Sequence, residues 1–153
     1  IINSFATWIL KKRIHQMELF LKYPHEVQEE LLFSLIKSAE ATQIGKKYDF
    51  SSVKNYTAFS ERVPIASYEE LEPLIELTRK GEQNVFWHSN IKWFAKSSGT
   101  TNAKSKFIPV SAEALENCHY KASKDLLCLY LNNNEDSELF VGKSLRLGGS
   151  KQL

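Results

Sequence analysis

The spacing of apolar residues changes near residue 84, and that change restricts the chain to folds that mix helices with strands. Over residues 4–22, Phe5, Trp8, Ile9, Ile14, Met17, Leu19, Phe20 and Leu21 recur with helical periodicity, and Lys11, Lys12, Arg13, Gln16 and Glu18 fall on the wet side. Pro24 opens a second helix where its missing N–H costs little, with Val27, Leu31, Leu32, Leu35 and Ile36 on its apolar face. Gly45 reads as the residue that ends this run. Residues 51–60 are expected to hold a short helix capped by Ser51 or Ser52. Val63-Pro64-Ile65 reads as extended, because the residue before a proline is biased away from helix. Ser67 and Glu70 have the spacing of a capping box, Pro73 is expected to kink or divide the helix they open, and Gly81 ends it.

Beyond residue 84 aromatic and β-branched residues gather. Val85-Phe86-Trp87, Ile91-Lys92-Trp93-Phe94-Ala95 and Phe107-Ile108-Pro109-Val110 read as strands, with Pro109 marking an edge or an end. Ser111 caps a long helix over about residues 112–131, a polar loop follows, and Glu138-Leu139-Phe140-Val141 reads as a further strand. The order is helices over about residues 1–83, then strand–loop–strand–helix–strand over about 84–153, an α/β arrangement in one unit.

Composition excludes several classes. With 42% hydrophobic and 25% charged residues the chain can bury a core. Its 20 basic and 18 acidic residues leave a formal net charge of +2, too near neutral to argue for nucleic acid or a membrane surface. Cys118 and Cys128 fall in one expected helix, about 15 Å apart along its axis, too far for a disulfide. Both are expected to be reduced and buried. No apolar run approaches the ~20 residues of a membrane-spanning helix, and no leader pattern is visible, so a cytoplasmic protein is expected. The start at Ile1 and the close on Gly148-Gly149-Ser150-Lys151-Gln152-Leu153 are those expected of a piece of a longer protein.

The chemistry concentrates in residues 96–106, between two of the expected strands. Ser97, Ser98, Thr100 and Thr101 supply hydroxyls, Gly99 permits a turn with converging N–H groups, and Lys96, Lys104 and Lys106 supply mobile positive charge. That set suits a polyphosphate. By composition alone such a loop more often only turns the chain. It is not a P-loop: Gly142-Lys143-Ser144 has Ser137 where the upstream glycine is required, and no Gly-x-Gly-x-x-Gly occurs.

The order Ser97-Ser98-Gly99-Thr100-Thr101, followed by lysine and a strand, resembles the phosphate-binding signature of the adenylate-forming superfamily. Val63-Pro64-Ile65-Ala66-Ser67-Tyr68-Glu69-Glu70-Leu71, Gly81-Glu82-Gln83-Asn84-Val85, the run from Ile91 through Thr101, and Lys106-Phe107-Ile108-Pro109-Val110-Ser111 are together similar to one branch of it, the Gretchen Hagen (auxin-responsive) family of acyl-acid amido synthetases. The resemblance covers most of residues 40–150. It implies a part of the large N-terminal domain of an adenylate-forming enzyme. It implies activation of a carboxylic acid by ATP and Mg²⁺ to an acyl-adenylate, then transfer of the acyl group to an amine or amino acid. Ser97, Ser98, Gly99, Thr100 and Thr101 would line the ATP phosphates. Lys106 matches the closing lysine best. Asn102-Ala103 stands where many members have glycine, which keeps Lys104 open as the alternative.

Other residues carry blander readings. His88 is read as a hydrogen-bonded structural histidine rather than an acyl-site residue, and no Cys/His spacing resembles a metal site. Trp8, Trp87 and Trp93 are expected in the core, and Glu69, Glu70, Glu72 and Glu76 on a solvated helix face. The first helix is expected to pack on the protein rather than on a membrane. Two rival functions stand beside the amido synthetase: an adenylate-forming ligase with a thiol acceptor such as CoA, and a non-catalytic helical interaction module. The chain alone is expected to be inactive.

Overall fold

The computed structural model describes residues 8, 13–97, 105–134, 136–141, 143 and 145. Its elements run α1 (Ile14–Lys22), α2 (Pro24–Ala39), α3 (Gln43–Lys47), a 3-10 turn (Phe50–Ser52), α4 (Tyr56–Arg62), α5 (Tyr68–Arg79), β1 (Trp93–Lys96), β2 (Phe107–Val110), α6 (Ala112–Ala114), a π-helical stretch (Leu115–Tyr120) and α7 (Lys121–Asn133). The fold is mixed α/β. Helices dominate, and the described strands form one antiparallel pair.

Ile36 and Ala39 of α2 pack with Phe50 and Val53. Leu32, Phe33, Ile44, Phe59, Val63 and Trp87 close around them. The face of α2 is therefore rotated from the sequence reading: Phe33 and Ala39 turn inward, while Leu31 and Leu35 stay 57% and 46% exposed. Of the stripe on α1, Ile14 and Met17 are half-buried, and Leu21 is 85% exposed.

Gly45 does not end a helix. It lies inside α3, where a Cβ would meet the carbonyl oxygens of Ala39 and Glu40 at 2.1 and 2.6 Å. Close backbone approach, not a left-handed turn, demands glycine here. Thr42 organises the site: fully buried, it donates to the Ala39 carbonyl at 2.6 Å and accepts from the Gly45 N–H at 3.0 Å, capping α3. The cap that sequence placed at Ser51 or Ser52 belongs instead to Asn55, which accepts the Ala58 N–H at 2.8 Å and opens α4. Ser51 and Ser52 are occupied by Asp49, to which both hydroxyls bond.

Helix α5 keeps its expected ends. Ser67 and Glu70 form the capping box. Gly81 (φ 101°) closes it: its N–H bonds the Thr78 carbonyl and that of Glu82 the Leu77 carbonyl, the paired bonds of a Schellman motif. Pro73 does not divide the helix. It removes one N–H bond, while buried Ile75 and Thr78 beyond it keep the helix on course.

Two expected strands are absent among the described residues. At 84–85 the backbone carbonyls are already engaged, because the Gln43 and Ile44 N–H groups bond those of Asn84 and Val85 at 3.0 and 3.1 Å. Asn84 turns the chain at φ 61°. Residues 138–141 form a turn closed by the Val141 N–H on the Glu138 carbonyl at 2.8 Å. Strand propensity without a partner strand does not make a strand. Cys128 is buried as expected, but Cys118 is exposed against expectation, and the two form no disulfide. Trp8 and Trp93 are 56% and 50% exposed, so the core reading holds only for Trp87, whose ring joins the cluster described above.

Arg13 reaches across to α7. Its Nε and Nη2 donate to the two carboxylate oxygens of Asp125 at 2.7 and 3.0 Å, a bidentate pair with side chains 16% and 23% exposed. The guanidinium holds the Asp125 carboxyl below its ordinary range.

Two tests follow from this packing. Gly45→Ala is expected to cost about 3 kcal/mol, because the atoms the methyl meets are backbone; denaturant midpoints check it. Asp125, with its depressed folded pKa, contributes stability that is present above the unfolded aspartate value and lost as pH falls through the folded one. Asp125→Asn is therefore expected to lower stability by roughly 1.5–3 kcal/mol at neutral pH, and the gap from the unsubstituted protein is expected to narrow below about pH 4 in a pH series of melts.

Candidate phosphate-binding hairpin

Strands β1 and β2 pair antiparallel, with Trp93 opposite Val110, Phe94 opposite Pro109, Ala95 opposite Ile108 and Lys96 opposite Phe107. One rung beyond, the Ser97 N–H donates to the Lys106 carbonyl at 2.9 Å, and the Lys106 N–H donates to Ser97 Oγ at 3.1 Å. Residues 97 and 106 thus form the closing pair of a hairpin whose loop is the candidate phosphate segment. Ser98, Gly99, Thr100, Thr101 and Lys104 lie outside the described residues. Ser97 and Lys106 are brought face to face.

Alternation along the ladder turns the N–H and C=O of Phe107 away from β1. Both meet one phenol: the Phe107 N–H donates to Tyr68 Oη at 2.9 Å, and Tyr68 Oη donates to the Phe107 carbonyl at 3.4 Å. Pro109 shares that outward parity, so its missing N–H takes nothing from the ladder.

The Lys106 ammonium is also held by the start of α5. It lies 2.9 Å from Glu69 Oε1 and 4.8 Å from the centre of the Tyr68 ring. Donation from Lys106, helped by the backbone N–H of Glu69, keeps the Glu69 carboxyl below its ordinary range. Further cations gather on the Phe107 ring, the Arg79 guanidinium at 3.8 Å and the Lys96 ammonium at 5.9 Å. The Ser97 hydroxyl and the Lys106 ammonium at the closing pair of the hairpin can receive an anion, with Arg79 and Lys96 adding positive charge on the Phe107 ring. Sequence reasoning missed Tyr68 and read Glu69 as merely solvated. The signal was present, since the capping box puts these two residues in the first turn of α5.

On the other side of the hairpin, Ser111 is buried and caps α6 by accepting the Ala114 N–H at 3.0 Å. Glu113, in that first turn, accepts the Ser89 hydroxyl at 2.8 Å and lies 3.7 Å from His88 Nε2. Its own backbone N–H, then the Ser89 and Ser111 hydroxyls and the Trp87 indole, hold its carboxyl below the ordinary range. The Trp87 N–H is buried and makes no hydrogen bond of ordinary length; it faces the carboxylate from further off. His88, half-exposed, has this charged neighbour at 3.7 Å, beyond hydrogen-bond length, so the hydrogen-bonded histidine expected from sequence is not what the structure holds. A concavity of about 370 Å³ is lined by Glu40, Ala41, Gly45, Lys46, Asp49 and Ser51, without a hairpin residue. Among the described residues no group of three or more His, Cys, Asp and Glu is placed to hold a metal ion, and no helix is long and apolar enough to cross a membrane.

Comparison with known proteins places the chain in a family. The family described as "GH3 family N-terminal domain" matches residues 13–152. A jasmonoyl–L-amino acid synthetase of Nicotiana attenuata, JAR4, is 27% identical over 91% of this chain and 24% of its own length. The indole-3-acetic acid-amido synthetase GH3.2 of Arabidopsis thaliana is 29% identical over 69% of this chain and 19% of its own length. The chain thus spans less than a quarter of these relatives, which are amido synthetases by name. Matched over nearly its whole length, the chain belongs to the GH3 family, within its N-terminal domain.

Proposed function

We propose that the full-length protein to which this chain belongs is an ATP-dependent acyl-acid amido synthetase, and that residues 97–106 bind the phosphates of ATP. In this reading a carboxylic acid attacks the α-phosphate, pyrophosphate leaves, and an amine or amino acid then displaces AMP from the acyl-adenylate. The observation that carries it is the hairpin itself. Its closing pair, Ser97 and Lys106, brackets a sequence of hydroxyls, glycine and lysine, in a chain of a family whose named relatives join acids to amino acids.

The chemistry needs little else from this segment. Charge that develops on the leaving pyrophosphate is stabilised by positioned donors, without a protein nucleophile. Ser97 and the loop hydroxyls donate to phosphate oxygens, and Lys106 brings a mobile charge to them. These donors fit an anion. Mg²⁺ would enter with the nucleotide whose phosphates they hold. Adenine, ribose and acyl recognition would come from the remaining length that the relatives have, so this chain alone is expected to be inactive. The working location of the enzyme is the cytoplasm.

The full-length protein, mixed with ATP, Mg²⁺ and a panel of carboxylic acids, is expected to release pyrophosphate only with an accepted acid. Lys106→Ala is expected to lower that rate by about 10- to 100-fold, the loss of one charged phosphate contact. Release of ADP and phosphate instead would overturn the adenylate mechanism.

A further inference from the structure

Lys106 is 42% exposed and paired with a glutamate that is 68% exposed, so burial does not fix it. A lysine on a flexible four-carbon stem is a poor positional reference unless its main chain is held. Here the main chain is held on both sides. The Lys106 N–H and C=O go to Ser97, and the next residue's N–H and C=O go to the Tyr68 phenol. The ring of that same phenol lies 4.8 Å from the Lys106 ammonium.

We propose that Tyr68 is a positioning residue for Lys106: its hydroxyl clamps the backbone beside the lysine and its ring guides the ammonium toward bound phosphate. This rests on the reading of the hairpin loop as the ATP-phosphate site. A plain edge-covering role for Tyr68 is the rival. It would stabilise the fold, but it would act on ATP independently of Lys106.

The test is a double-mutant cycle read by calorimetric ATP binding to the full-length protein with Mg²⁺ and no acid, so that turnover plays no part. Tyr68→Phe keeps the ring and removes the clamp; it is expected to weaken ATP binding by roughly 3- to 10-fold. Lys106→Ala is expected to weaken it at least as much. Adding Tyr68→Phe to Lys106→Ala is expected to change binding by no more than about twofold. Equal losses in both backgrounds would show that Tyr68 does not work through Lys106 and would overturn the proposal. Unchanged binding in Tyr68→Phe, with Lys106→Ala impaired, sinks the proposal while the phosphate reading stands. Unchanged binding in Lys106→Ala sinks both. If Tyr68→Phe does not fold by circular dichroism, Glu69→Gln decides, since it leaves clamp and ring in place. Binding within about twofold of the unsubstituted protein supports the clamp, and any larger loss assigns the positioning to the ion pair and overturns the proposal.

Discussion

A hairpin of two four-residue strands does not hold itself together in water, and here its outer edge is closed by a single phenol. Tyr68 bonds the N–H and the C=O of Phe107 at 2.9 and 3.4 Å, satisfying two backbone groups that an edge strand would leave to solvent. The phenol is in place because the helix that carries it starts at a fixed residue. Glu70 accepts the Ser67 N–H at 2.7 Å and Ser67 Oγ accepts the Glu70 N–H at 3.3 Å, so the first turn of α5 cannot slide. From the far end of the same helix Arg79 lays its guanidinium over the Phe107 ring. One residue of β2 therefore meets both ends of α5, and Lys106 precedes that residue directly.

The hairpin has a second anchor ahead of β1. Asn84 and Val85 give their carbonyls to the start of α3, the Asn84 side chain donates to the Ala41 carbonyl at 3.1 Å, and the Ile91 N–H donates to Gln83 Oε1 at 2.9 Å. Ser89 and Trp87 then turn toward Glu113 at the start of α6. The lead-in is thus held by α3 and α6, while the lead-out of the loop is held by α5. Three helix beginnings, those at Thr42, Ser67 and Ser111, meet the segments that carry the loop. Each is capped by a hydroxyl, and each cap fixes a helix start to within one residue.

Much of this was legible in the sequence wherever a local rule decides the outcome. Ser67 with Glu70, Pro24 at a helix start, Gly81 after a helix, Ser111 before one and the strands around the loop all depend on neighbours three or four residues away, or on a turn. The misses share a different cause. Gly45 signals a helix end by composition, yet its need for glycine comes from the carbonyls of Ala39 and Glu40 packed against it. Val85-Phe86-Trp87 has strand chemistry, but the carbonyls of Asn84 and Val85 at its start accept from Gln43 and Ile44, some forty residues earlier. Tyr68 was hidden for the same reason, because its role appears only when Phe107 arrives beside it. Long-range partners, not propensity, decide these positions.

The two contacts on Lys106 differ in kind, and the difference suits a phosphate site. The Glu69 pair is exposed on both sides, so solvent and salt screen it and it contributes little to stability. A polyphosphate offers several charged acceptors at once and outcompetes a single carboxylate for the ammonium. The Tyr68 contact with the Phe107 backbone is neutral and partly buried, so neither salt nor an arriving anion alters it. The head of the lysine can therefore move while its Cα stays in register with Ser97. In the proposed reaction, such a separation would let one side chain follow a departing pyrophosphate and still start from the same place. On that proposal Glu69 would be the resting partner of the charge, and the clamp would set where it is delivered.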